Sequence, residues 1–420
     1  MYKLLVHGGY ELNGAVNASG SKNSSLPILA ASLLTNEPCT IHRVPDVSDT
    51  NYMVQIIQNL GADVERSSGT VRIEARELAS VAPYDLVRKM RASICVMGPL
   101  VARMREATVS LPGGCVIGDR PVDLHLRGLR EIGAQVEVEG GNIVVRADHG
   151  LRGTSVNMRG THGSTVLGTD NLMMGAVLAE GTTIIEGAAA EPEVQDLACF
   201  LNKMGARIEG AGTPRIVIEG VKELRGAEHT VIPDRIEAGT FLVAGALAGG
   251  AVTVRRVVPE HMRALIEVLR ACGHEVLENG DSVTVRRGSV LRGARITTEP
   301  YPGFPTDMQA QMCALFATTP GLSVITESIF PERFMHVAEL KRMGADIQKD
   351  GATVTIQGVE QLGAAPVMAS DLRASAALVL AALTASGTSE VNRLYHIDRG
   401  YEHIEEKLME LGARIDRVKA

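Results

Sequence analysis

The sequence predicts an α/β protein of two domains, each built from three repeats of about 70 residues. Three observations predict it. The chain has 420 residues, more than one hydrophobic core commonly organises. A short phrase recurs along it: an apolar residue, Gly, usually Ala, any residue, then Val or Ile. Around each phrase the apolar period changes from helical to strand-like.

The phrase appears as Leu60-Gly61-Ala62-Asp63-Val64, Ile132-Gly133-Ala134-Gln135-Val136 and Met204-Gly205-Ala206-Arg207-Ile208. It returns, loosened, as Cys272-Gly273-His274-Glu275-Val276, then as Met343-Gly344-Ala345-Asp346-Ile347 and Leu411-Gly412-Ala413-Arg414-Ile415. Successive glycines lie 68 to 72 residues apart, so six units account for the chain. Solenoid repeats are shorter, about 20 to 50 residues. Units of this size are small subdomains, grouped three and three.

Each element has its reason. Met53, Ile56, Ile57 and Leu60 fall at i, i+3, i+4 and i+7, one apolar helix face. Val194, Leu197, Ala198 and Leu201 repeat the pattern, as do Leu265, Val268, Leu269 and Cys272. The glycine that follows supplies the left-handed residue that stops a helix. Strand patterns come next, as in Gln135-Val136-Glu137-Val138-Glu139 and Ile143-Val144-Val145. A second, Ala-rich helix completes the unit, exemplified by Ser375 to Ala385.

Composition removes several function classes. Trp is absent and aromatics are 3%, so the core is aliphatic and base-stacking platforms for nucleic acid are not expected. A net charge of −7 argues against a general polyanion binder. The 42 Lys and Arg still suffice for a local anion pocket. Cys39, Cys95, Cys115, Cys199, Cys272 and Cys313 are scattered, without CxxC pairs or zinc spacing, so no metal or other cofactor is expected. No signal peptide and no apolar run of about 18 residues is visible. The expectation is a cytoplasmic protein with reduced thiols and no membrane partner.

Four segments put charge or glycine where a core would not. In Ala18-Ser19-Gly20-Ser21-Lys22-Asn23-Ser24-Ser25, Lys22 falls at a helix start, the end that favours anions. It reads either as a solvated lysine beside a Ser cap or as a cation bridged to a bound anion. Leu111-Pro112-Gly113-Gly114-Cys115-Val116-Ile117-Gly118-Asp119-Arg120-Pro121 cannot be regular structure and reads as an exposed loop. Cys115 is the cysteine out of place there, a reactive thiol or an ordinary one; the other five fit apolar helix or strand patterns and are expected in the core. In Tyr301-Pro302-Gly303-Phe304-Pro305-Thr306-Asp307-Met308-Gln309, Asp307 is either a helix-start carboxylate or a general base. Arg91, Arg333, Arg373 and Arg399 lie at helix starts or in polar loops. They suit a small polyanionic ligand or surface ion pairs.

Taken in order, these strings resemble the UDP-N-acetylglucosamine enolpyruvyl transferases of peptidoglycan synthesis, within the EPSP synthase superfamily. The carrying strings are Gly20-Ser21-Lys22-Asn23, Met90-Arg91-Ala92-Ser93, Leu111-Pro112-Gly113-Gly114-Cys115, Arg120-Pro121-Val122-Asp123-Leu124-His125, Pro233-Asp234-Arg235-Ile236-Glu237, Phe304-Pro305-Thr306-Asp307-Met308-Gln309, Asp371-Leu372-Arg373-Ala374-Ser375 and Tyr395-His396-Ile397-Asp398-Arg399-Gly400-Tyr401-Glu402. The resemblance implies a two-domain inside-out α/β barrel. Residues 1–21 plus 233–420 are expected to form one domain, and 22–232 the other, which carries the Cys115 loop. It implies phosphoenolpyruvate and UDP-N-acetylglucosamine as substrates, and a monomer or weak homo-oligomer.

The resemblance also implies roles. Lys22, Arg120 and Arg399 hold the phosphate of phosphoenolpyruvate, with Asn23 and Arg373 contributing to its site. Cys115 protonates the methylene carbon, and Asp307 takes the proton of the sugar 3′-hydroxyl. Asn23, Arg91, Arg120, Pro121, Val122, Asp123, Leu124, Asp307, Ile329, Phe330, Thr161, His162 and Gly163 contact the UDP-sugar. Two departures accompany it: Ser48 stands where some members carry a lysine, and His162 is unusual in a segment that is often Ser-Val-Gly-Ala-Thr. The nearest alternatives are a shikimate-type acceptor, another UDP-sugar, or a non-catalytic nucleotide-sugar binder.

Overall fold

In the computed structural model, residues 2–111, 122–161 and 163–419 are described. They form two compact units, one of residues 2–19 and 233–419, the other of residues 20–111 and 122–232.

The repeat phrase does what its glycine demands. Gly61, Gly133, Gly205, Gly273, Gly344 and Gly412 have φ between 93° and 106°, which a side chain would strain. Each follows a helix: Ser48–Asn59, Asp123–Glu131, Pro192–Lys203, Arg263–Ala271, Met335–Arg342 and Ile404–Glu410. Each precedes a strand: Asp63–Ser67, Gln135–Glu139, Arg207–Glu209, Glu275–Asn279, Asp346–Asp350 and Arg414–Lys419.

The sheets share one plan. Gly14–Asn17 runs parallel to Ala251–Arg255, which pairs antiparallel with Ser282–Arg286 and, through it, with Glu275–Asn279. The same order of one parallel and two antiparallel pairings recurs around Thr182–Glu186, Leu322–Thr326 and Cys39–His42. In the sheet of Glu106–Ser110 the parallel neighbour shrinks to a bridge between Val81 and Thr108.

Six further helices are mostly apolar, and such helices belong inside. Lys22–Ala31, Met97–Met104 and Val166–Ala176 lie in one unit; Arg235–Ala248, Gln309–Thr318 and Leu372–Thr384 lie in the other. Every residue from Arg373 to Leu383 is buried, as is every residue from Ile236 to Leu247. Helices occupy the interior of each unit, with amphipathic helices and half-exposed sheets around them, which is the inside-out arrangement.

The Ala-rich helix runs Leu372–Thr384, and Asp371 caps it. The Asp371 Oδ1 accepts from the N–H groups of Arg373 and Ala374 at 2.8 and 3.1 Å. Cys199 departs from expectation. Cys39, Cys95, Cys272 and Cys313 are buried, but Cys199 is exposed on the outward side of an amphipathic helix. Among the described residues no helix is long and apolar enough to cross a membrane.

Candidate active site

In the unit of residues 20–232, Lys22 and Asn23 open a buried helix. Ser21 caps it by accepting from the Ser24 N–H at 3.3 Å. The first turn is held further by the buried Asp196. Its carboxylate accepts from the Ser24 hydroxyl, from the Ile232 N–H at 3.2 Å, and pairs with His229 Nε2 at 2.9 Å. The Lys22 Nζ lies 3.3 Å from Asp49 Oδ2, and Asp49 is 2% exposed. A cation at a helix N-terminus is thus balanced by a buried carboxylate. Ser48, where some relatives of the resembled type carry lysine, opens the helix that holds Asp49.

Arg91 begins a 3-10 helix, Arg91–Val96, in the same unit. Val122 caps the helix Asp123–Glu131, which carries Asp123 and Leu124. Thr161 and Gly163 lie at the turn of a small hairpin that pairs Arg159–Gly160 with Gly163–Ser164. The fold brings these last two segments together. A Cβ on Gly160 would lie 3.0 Å from Leu124, and Arg127 donates to the Arg159 carbonyl at 3.4 Å. Cys115, Arg120, Pro121 and His162 lie outside the described residues.

In the other unit, Asp307 sits in a 3-10 turn, Thr306–Met308, that feeds the buried helix Gln309–Thr318. It is bound by two arginines. Arg333 Nη1 donates to Oδ1 at 2.8 Å, while Arg373 Nε and Nη2 donate to Oδ2 at 3.2 and 2.9 Å. Arg373 is 2% exposed, and its guanidinium lies over the buried Tyr401 ring at 5.4 Å. Burial opposes its charge, but Asp307, Tyr401 and Asp234 outweigh that, and its pKa stands above the usual arginine value. Its Nη1 is buried and finds no hydrogen-bond partner among the described residues. Arg399 ends the 3-10 helix Leu394–Arg399. Burial and then Arg399 hold the His396 imidazole below its ordinary pKa.

Ile329 and Phe330 follow a strand end, and their N–H groups both donate to Glu327 Oε1 at 2.9 Å. Glu327 is fully buried and also accepts from Thr298 at 2.7 Å and Thr306 at 2.9 Å. It ties the Ile329-Phe330 loop to the turn that carries Asp307. Sequence reasoning missed Glu327, and it grouped Arg333 with the candidate anion-binding arginines without giving it a role at Asp307. An acidic residue at the end of an apolar strand was the available signal.

A cationic lining around one carboxylate, with aliphatic surroundings, suits a small polyanionic substrate and proton transfer. Among the described residues no group of three or more His, Cys, Asp or Glu could hold a metal ion.

Comparison with known proteins agrees over the whole chain. The EPSP synthase (3-phosphoshikimate 1-carboxyvinyltransferase) family model matches residues 6–408. A UDP-N-acetylglucosamine 1-carboxyvinyltransferase of Akkermansia muciniphila is 67% identical, covering 100% of this chain and 99% of that one. One of Methylacidiphilum infernorum is 58% identical with the same coverage. Among solved structures, the enolpyruvyl transferase NikO from Streptomyces tendae superposes with a TM-score of 0.89 at 26% identity, over 100% of this chain and 99% of that one. EPSP synthase from Acinetobacter baumannii gives 0.77 at 18% over 100% of both chains, a likeness of fold alone. The sixfold repeat, the buried helices and these matches make one conclusion: the chain belongs to the EPSP synthase family of enolpyruvyl (1-carboxyvinyl) transferases.

Proposed function

We propose that the chain transfers the enolpyruvyl group of phosphoenolpyruvate to the 3′-hydroxyl of UDP-N-acetylglucosamine and releases phosphate, the first committed step of peptidoglycan synthesis, in the cytoplasm. The observation that carries the reading is identity of 67% and 58%, over the whole chain, to proteins named for this reaction. The Asp307 site supports it.

The steps follow from the residue types. Lys22, Arg120 and Arg399 neutralise the phosphate, with Asn23 orienting it. Cys115 delivers a proton to the methylene carbon, and the adjoining carbon gains oxocarbenium character, which nearby anionic groups stabilise. The sugar 3′-oxygen attacks that carbon while Asp307 takes its proton. The resulting tetrahedral ketal loses a proton from its methyl group and expels phosphate, giving the enolpyruvyl ether.

Arg373 links binding to this chemistry. Its Nη1 is a buried donor without a protein partner among the described residues, while Nε and Nη2 hold Asp307. A substrate carboxylate on this guanidinium competes for the same fork and leaves Asp307 Oδ2 a lone pair for the sugar hydroxyl. Arg91, Arg120, Pro121, Val122, Asp123, Leu124, Thr161, His162, Gly163, Ile329 and Phe330 complete the acceptor site.

The shikimate-type acceptor is the competing reading, since the family model carries that name. A coupled phosphate-release assay separates the two. Release from phosphoenolpyruvate should require UDP-N-acetylglucosamine and be unaffected by shikimate 3-phosphate. Release with the latter alone, or with neither acceptor, refutes the assignment.

A further inference from the structure

Asn171 lies in the buried helix Val166–Ala176 and is itself fully buried. Its amide makes three hydrogen bonds. The Gly98 N–H donates to Oδ1 at 2.7 Å, and Nδ2 donates to the Ile94 carbonyl at 2.8 Å. Nδ2 also lies 3.0 Å from His125 Nδ1.

Ile94 and Gly98 are four residues apart, the pair that an α-helix joins directly. The Asn171 amide bridges the two groups at the junction between Arg91–Val96 and Met97–Met104, where the Ile94 carbonyl also accepts from the Met97 N–H. A side chain inserted into the helical ladder is a recognised cause of such a break. The approach is close. A Cβ at residue 98 would lie 2.3 Å from the Asn171 carbonyl oxygen and 2.8 Å from its Oδ1, so only glycine fits.

These partners also fix the chemistry. A backbone N–H can only donate and a carbonyl can only accept, so Asn171 has one permissible orientation. Nδ2 therefore faces His125 as a donor, and His125 Nδ1 must accept. A neutral imidazole whose Nδ1 accepts carries its proton on Nε2.

We infer that Asn171 is a positioning residue for the nucleotide-sugar side of the site, holding His125 as the Nε2–H tautomer. Resting on the acceptor assignment above, the inference joins three of its segments through one side chain. They are the 3-10 helix that begins at Arg91, the helix that carries Asp123, Leu124 and His125, and the helix that follows the Thr161–Gly163 turn.

The test uses Asn171→Asp, which matches asparagine in shape. One carboxylate oxygen still accepts from Gly98. The other cannot donate to Ile94, and it draws the His125 proton to Nδ1. Long-range 15N–1H spectra of histidine-labelled full-length protein, assigned with His125→Phe, should show Nε2–H in the wild type and Nδ1 protonation in Asn171→Asp. The KM for UDP-N-acetylglucosamine should rise about tenfold, as expected for the loss of one buried hydrogen bond, while the KM for phosphoenolpyruvate stays at the wild-type value. An Nδ1–H tautomer in the wild type overturns the inference, and that spectrum decides even if the variant does not fold. Equal rises in both KM values, or a fall in kcat alone, overturn the positioning role. Absence of UDP-N-acetylglucosamine-dependent turnover in the wild type sinks the acceptor assignment instead, and with it the role, but leaves the tautomer intact.

Discussion

Replacing Asp307 with alanine tests both the site's electrostatics and its chemistry. The carboxylate is the shared counter-ion of two buried cations, with Arg333 at 8% and Arg373 at 2% exposure. Removing it deletes three charge-assisted bonds, of 2.8, 2.9 and 3.2 Å. It also leaves two guanidiniums facing each other. Breaking a buried pair commonly costs about 3–5 kcal/mol, because the remaining charge is stranded. Thr306 still accepts from Arg333 at 3.0 Å, and Tyr401 still lies under Arg373, so the lower half of that range applies. At roughly 2–4 °C per kcal/mol for a unit of this size, calorimetry should show a fall in Tm of about 6–16 °C. Phosphoenolpyruvate should restore part of it, since an anion that binds only the folded state stabilises that state. Turnover should be lost while both substrates still bind, as read by titration calorimetry. Wild-type stability would show that the arginines do not depend on Asp307, and unchanged kinetics would refute its role as proton acceptor.

Other outcomes follow from the same reasoning. Cys115→Ser should abolish turnover with UDP-sugar binding retained, and full activity in that variant refutes the carbon-acid role. The epoxide fosfomycin should add to Cys115, read by intact mass with peptide mapping; no adduct, or one on another cysteine, counts against it. His274 is buried, neither ring nitrogen has a partner among the described residues, and burial lowers its pKa to about 4. The unfolded state therefore binds more protons between about pH 6.5 and pH 4, and stability falls as pH drops through that window, by up to about 3 kcal/mol from this residue. His274→Leu should flatten that acid limb in urea denaturation, and an unchanged pH slope contradicts the assignment. Glu327→Ala, which unties four hydrogen bonds, should raise the KM for UDP-N-acetylglucosamine and destabilise the unit by about 2–4 kcal/mol; wild-type values for both would remove it from the site.

Much of the fold was legible because its causes are local. A left-handed glycine after an apolar helical face is written in five residues, and all six copies of the phrase adopt it. A mostly apolar helix such as the Ala-rich one declares its burial. The Ala-rich stretch and the helix start at Arg373 were both legible, but the cap was not: only the structure shows the Asp371 Oδ1 meeting two N–H groups. Cys199 was misplaced because it was read by residue type, although it lies off the apolar face of Val194, Leu197, Ala198 and Leu201.

The sequence by itself determined the repeat, the α/β class, the family and the identity of the candidate residues, since each is carried by neighbours in the chain. Only the tertiary structure decided their partners. Asp307 meets Arg333 and Arg373 across 26 and 66 residues, and Asn171 meets His125, Gly98 and Ile94 across 46, 73 and 77. Such contacts are fixed by how buried helices pack around charge and amide groups that must find partners once water is excluded. No local pattern encodes them.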